Sequence, residues 1–123
     1  MKIALSRYGP VLLFLLFLFY VIVAADKGAI PPFIRAIYRF PHGDWVGHFV
    51  LYGILAWLAV RAFPRQINLR GWKFPLSALF VILVAAIEEL SQFWFPARTP
   101  ELLDLTFGVL GTIMGTWLGA RKR

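Results

Sequence analysis

The sequence predicts an all-α protein: a four-span transmembrane helix bundle with both termini cytoplasmic. Three observations predict it. The chain is 60% hydrophobic, with mean hydropathy +0.73, whereas soluble domains hold about 45–50% apolar residues. Four apolar runs approach the roughly 20 residues needed to cross hydrocarbon. The cationic residues sit between those runs, unequally on the two sides. At 123 residues the chain is expected to be a single transmembrane domain, 1–123.

The first run extends from Tyr8 to Ala25, after Lys2 and Arg7. Pro10 lies near its start, where a missing N–H does little harm. Val23-Ala24-Ala25 would suit a signal-peptide cleavage site, but the run is long for a signal peptide, which favours a retained helix. Next comes a connection from Asp26 to Asp44. Within it Phe33, Ile34, Ile37 and Tyr38 would share one helical face, with Arg35 and Arg39 pointing away. That pattern suits a short interfacial helix; an irregular loop is the alternative. The second run, Trp45 to Phe63, is stopped by Pro64. A connection from Pro64 to Lys73 leads to the third run, Phe74 to Phe95, with Pro75 in its first turn. A tight connection, Pro96 to Glu101, precedes the fourth run, Leu102 to Ala120.

Orientation follows from charge. Lys2, Arg7, Arg61, Arg65, Arg70, Lys73, Arg121, Lys122 and Arg123 fall on the side of the termini, and Lys27, Arg35, Arg39 and Arg98 on the other. The richer side is expected to be cytoplasmic. All six acidic residues (Asp26, Asp44, Glu88, Glu89, Glu101 and Asp104) fall toward the outer side. The net charge of +7 does not point to nucleic acid, because the basic residues flank apolar runs, where they fix topology and meet anionic lipid. With no cysteine there is no disulfide framework, thiolate nucleophile or Cys-based metal site.

The candidate site starts from Glu88 and Glu89. A carboxylate at membrane depth is costly and usually faces protein or water. At about 1.5 Å per residue, Glu88 lies about 21 Å from Phe74, in the outer third of a core about 30 Å thick. Gln92 is four residues from Glu88 and three from Glu89, so either pair can meet on one helix face. Asp44, His48 and Tyr52 form a stripe at the outer start of the second span. Asp104 occupies the first turn of the fourth, and Arg98 the loop before it. Gly108, Gly111, Gly115 and Gly119 continue down that helix at a spacing that lets backbones pack closely.

Each residue also has a plainer reading. Asp44 can cap a helix, His48 can be a hydrogen-bonded packing residue, and Tyr52 can anchor at the interface. Glu88 or Glu89 can pair with Arg98, Gln92 can bridge helices, and Asp104 can complement the helix dipole. Together they share one depth on one side. That convergence predicts an outward-facing pocket, with Glu89 and His48 as candidate catalytic groups and Asp44, Tyr52, Glu88, Gln92, Arg98 and Asp104 as candidate binding groups.

Over residues 44 to 119 the chain resembles the VanZ-like family of small bacterial polytopic membrane proteins. Asp44-Trp-Val-Gly-His48-Phe49 is similar to that family's Asp-Lys-x-x-His-Phe start of a helix, with one extra residue and no Lys. Glu88-Glu89-Leu-Ser-Gln92, then Pro96-Ala97-Arg98, then Asp104 resembles its second block, with Ala97 for the usual Gly and Gly108 for a frequent Asn. Gly111 and Gly115 match its glycines. The resemblance implies a multi-pass protein of the bacterial cytoplasmic membrane; some members are linked to resistance to the glycopeptide teicoplanin. It implies no established reaction.

Two functions compete. In the first, the pocket recognises an amphiphilic envelope lipid, a lipid-linked cell-wall precursor or a lipoglycopeptide, with Arg98 on a phosphate or carboxylate. In the second, Glu89 or Glu88 and His48 act as acid and base on a lipid head group. A metal variant with His48, Glu89 and Asp104 as ligands matches no compact metal motif, so no metal or cofactor is expected. Proton-coupled transport would need a path across the membrane, for which a homo-oligomer built on the glycine face is one route. Membrane lipids are the expected partners.

Overall fold

The computed structural model describes residues 2–29, 32–35, 43–96, 98 and 100–121. Five α-helices and one two-stranded hairpin are found among them: α1 (Lys2–Asp26), α2 (Pro32–Arg35), α3 (Gly43–Ala62), β1 (Gln66–Leu69), β2 (Trp72–Pro75), α4 (Leu76–Ser91) and α5 (Leu102–Ala120). A 3₁₀ turn, Gln92–Trp94, extends α4. Four helices are long and apolar enough to cross a membrane: Tyr8–Asp26, Trp45–Ala62, Leu76–Trp94 and Leu102–Ala120. The outer surfaces are correspondingly apolar. Leu13, Phe19, Leu83, Ile87, Ile113 and Trp117 are all exposed, as lipid-facing side chains would be.

α3 is the central element and packs against α1, α4 and α5. Its partnership with α5 is the closest. A side-chain carbon on Gly111 would strike the Phe49 carbonyl, one on Gly115 the Gly53 carbonyl, and one on Gly119 would stand 2.9 Å from the Trp57 oxygen. The matched positions advance by four on both helices, so α3 and α5 run parallel with backbones in contact. The spaced small residues permit this approach, which gains dispersion contacts along the whole seam. Trp45 and Phe107 extend the pairing by stacking at 5.3 Å.

The other side of α3 is looser. α1 is apolar all round and docks through a narrow stripe containing Val11, Leu18, Val21 and Ala24. Leu55, Ala56 and Ala59 of α3 and Val81 and Ala85 of α4 complete the buried core.

Three boundaries differ from the sequence expectation. α1 begins at Lys2, so Pro10 lies inside the helix rather than near its first turn; it supplies no N–H to the ladder there. Phe74 and Pro75 belong to β2 rather than to the third span, and Pro75 is the residue that caps α4. The connection before that span is a hairpin: Gln66 pairs with Pro75 and Leu69 with Trp72. Its two-residue turn, Arg70 (φ 53) and Gly71 (φ 85), has the paired positive φ of a type I′ turn. Asn68 Oδ1 accepts the Gly71 N–H at 3.1 Å. The Leu76 N–H donates to the Arg65 carbonyl at 2.9 Å and closes the hairpin base onto α4. Of the expected interfacial helix, Pro32–Arg35 is helical; Ile37, Tyr38 and Arg39 lie outside the described residues.

Candidate functional site

α4 loses its regular ladder at Gln92, one turn past Glu88 and Glu89. Pro96 disfavours helical conformation in the residue before it, and the helix tightens into the 3₁₀ turn, with the Phe95 N–H donating to the Gln92 carbonyl at 3.2 Å. This leaves Glu88, Glu89 and Gln92 at the end of the span, all buried. Gln92 Nε2 donates to Glu88 Oε1 and Oε2 at 3.1 and 2.9 Å and to Glu89 Oε2 at 3.2 Å. One amide therefore holds the two carboxylates on a common face, through the i,i+4 and i,i+3 spacings of the sequence.

The loop beyond folds back over this face. Arg98 Nη2 donates to Glu88 Oε1 at 2.7 Å, and Nη1 to Asp26 Oδ1 at 2.7 Å. The two carboxylates come from helices distant in the sequence, so Arg98 ties α1 to α4. Burial would lower the pKa of its guanidinium, but the charge and hydrogen bonds of Glu88, then those of Asp26, outweigh this and raise it above its ordinary value. It stays charged at any ordinary pH. The loop is also anchored on Glu89, whose Oε1 accepts the Glu101 N–H at 3.0 Å.

α3 supplies the remaining wall. His48 Nε2 stands 4.0 Å from Glu89 Oε2, beyond direct hydrogen-bond length. The His48 ring lies 6.1 Å from that of Tyr52, and Tyr52 is buried where Gly108 lets it approach α5. Between this wall and α1 lies a small cavity of about 40 Å³, lined by His48, Tyr52, Glu88 and Arg98 on one side and Leu18, Val21 and Ile22 on the other. That volume exceeds the roughly 10–15 Å³ one water needs, so it has room for water or one small polar group, with hydrocarbon on the α1 side.

The cluster thus brings together six predicted residues: His48, Tyr52, Glu88, Glu89, Gln92 and Arg98. Asp104 is buried in the first turn of α5, one turn before Gly108. The side chain of Asp44 lies outside the described part of α3. Asp26 was missed as a site residue; its signal was its place among the outer acidic residues at the end of the first run. The Glu101 backbone N–H was missed too, because nothing in a residue type foretells a main-chain donor. Arg98 also differs from expectation, since both terminal nitrogens are already bonded to carboxylates instead of awaiting a phosphate.

Chemically, the site offers more acceptors than donors. Asp26, Glu88 and Glu89 face a single guanidinium. His48, Glu88 and Glu89 each offer one ligand atom within 4.8 Å of the others. This set differs from the expected one, which used Asp104 in place of Glu88. A cation there would compete with Arg98 and Gln92 for the Glu88 oxygens. Compared with family models, curated proteins and solved structures, the chain matches none.

Proposed function

We propose that this chain is a VanZ-like protein of the bacterial cytoplasmic membrane, with both termini in the cytoplasm. Its polar cluster would recognise the head group of an amphiphilic envelope molecule from the outer leaflet. One observation carries the reading: Asp26, His48, Glu88, Glu89, Gln92 and Arg98, from separate stretches of chain, form one polar cluster, and His48, Glu88 and Arg98 of that cluster line a cavity whose opposite wall is apolar.

The excess of acceptors selects a donor-bearing head group. A hydroxyl or ammonium entering between His48 Nε2 and Glu89 Oε2 would reach both. Arg98, already neutralised, acts as a brace rather than as an anion receptor. The apolar face of α1 is positioned to meet the tail. An envelope lipid, a lipid-linked cell-wall precursor and a lipoglycopeptide all join a hydroxyl- or amine-bearing head to an apolar tail. The resemblance stated above connects such recognition to teicoplanin-type glycopeptide resistance. The test compares the lipid content of membranes and the teicoplanin susceptibility of cells carrying wild type or Glu89→Gln. The expected result is loss of the wild-type effect in the variant; no change in either measurement would refute recognition through Glu89.

A second reading, a membrane-embedded enzyme acting on a lipid head group, draws on the His48–Glu89 gap. Glu89 is fixed through Oε1 by the Glu101 N–H, which leaves Oε2 toward His48. A substrate hydroxyl placed between them would have an acid and a base in reach. Turnover of labelled envelope lipid by wild type, abolished in folded Glu89→Gln, separates catalysis from binding alone.

A further inference from the structure

At the end of the bundle away from the polar cluster, a second and larger cavity of about 440 Å³ opens between α1, α3 and α4. Its walls are hydrocarbon: Leu15 from α1, Leu55 and Ala59 from α3, Phe80 and Val81 from α4. Such a volume lies within the range of about 300–1,000 Å³ that accommodates small ligands. Two groups in its lining are not hydrocarbon. Ser77, in the first turn of α4, is only 7% exposed, and its hydroxyl has no hydrogen-bond partner among the described residues. A buried, unmade hydrogen bond costs about 1–3 kcal/mol, so an acceptor inside the cavity would relieve a standing penalty. The other is Arg65. Its backbone is fixed by the bond from the Leu76 N–H, and its side chain is exposed beside the cavity. The ion pairs among the described residues all lie at the polar end, and none involves Arg65. Arg61, Arg70 and Lys73 add positive charge nearby in sequence, and all six acidic residues lie elsewhere in the sequence.

We propose that this cavity holds an acyl chain of an anionic phospholipid, with the phosphate at Arg65 and an ester or glycerol oxygen accepting the Ser77 hydroxyl hydrogen. Charge decides for an anionic lipid over a zwitterionic one: cations beside a membrane surface attract anionic lipid, and among the described residues no carboxylate pairs with Arg65 to satisfy an ammonium. The site is separate from the polar cluster and does not rest on the function proposed for it.

The test uses the full chain in nanodiscs of equimolar phosphatidylglycerol and phosphatidylethanolamine, released into mild detergent and read by native mass spectrometry. Wild type is expected to retain one phosphatidylglycerol, about tenfold over phosphatidylethanolamine. Arg65→Glu removes that preference, Ser77→Ala weakens retention, and Ala59→Leu, which fills the cavity, lowers retention of both lipids. Arg70→Glu reverses a charge at the same end without touching the cavity and is expected to keep the preference. Arg65→Gln, a milder change at an exposed position, serves if the reversal impairs folding. Equal retention of the two lipids by wild type, no retained lipid, or the same loss in Arg70→Glu as in Arg65→Glu would overturn the site.

Discussion

The two faces of α3 are built on opposite rules. Toward α5 the helix meets glycine after glycine, backbone on backbone, with no room for one more carbon. Toward α1 and α4 it meets larger side chains that leave two cavities, one polar and one apolar. The contrast separates support from use. The α3–α5 seam fixes His48 and Tyr52 relative to Asp104, and the looser face carries the openings where a ligand can enter. A bundle that was glycine-packed throughout would have no site; one that was loose throughout could not hold a histidine and a carboxylate in fixed register.

Substitutions should break this contrast in a definite order. Gly115→Leu drives a side chain into the Gly53 carbonyl, and overpacking against backbone has little means of relaxing. A loss of about 3 kcal/mol is expected, read as a lower thermal midpoint and reduced folded yield in detergent; an unchanged midpoint would mean that the helices are not in contact there. Arg98→Ala comes next. It leaves Glu88 and Asp26 facing each other without their shared cation, for an expected cost of about 2–3 kcal/mol. Arg98→Lys should recover only part of it, since one ammonium cannot fork to both carboxylates. A lysine variant as stable as wild type would argue against the two-pronged brace. The smallest effect belongs to the open face: Ala59→Leu, on the same helix as Gly53, should cost less than about 1 kcal/mol, because space for the added carbons already exists. A loss as large as that of Gly115→Leu would erase the distinction between the faces.

Much of this architecture is legible in the residues. The four spans follow from apolar run length, and the fourth falls at Leu102–Ala120 as read. The Glu88–Gln92 and Glu89–Gln92 bonds follow from helical spacing alone. What escaped depends on two remote segments meeting. Asp26 joins the cluster only because Arg98, 72 residues away, reaches it, and no local pattern encodes that distance. The hairpin escaped for another reason. Its strands are four residues each, too short for alternation to register, and one of its turn positions is an arginine with positive φ, a conformation the residue type does not advertise.

The central proposal is that the polar cluster opens away from the cytoplasm while the hairpin faces it. The chain has no cysteine, so single-cysteine variants can be placed freely, and Glu101→Cys and Arg70→Cys mark the two ends at exposed positions. Intact cells are treated with a membrane-impermeant maleimide. The expected result is labelling of Glu101→Cys at once, with Arg70→Cys labelled only after the membrane is opened. The reverse pattern, or labelling of both in intact cells, would contradict the account.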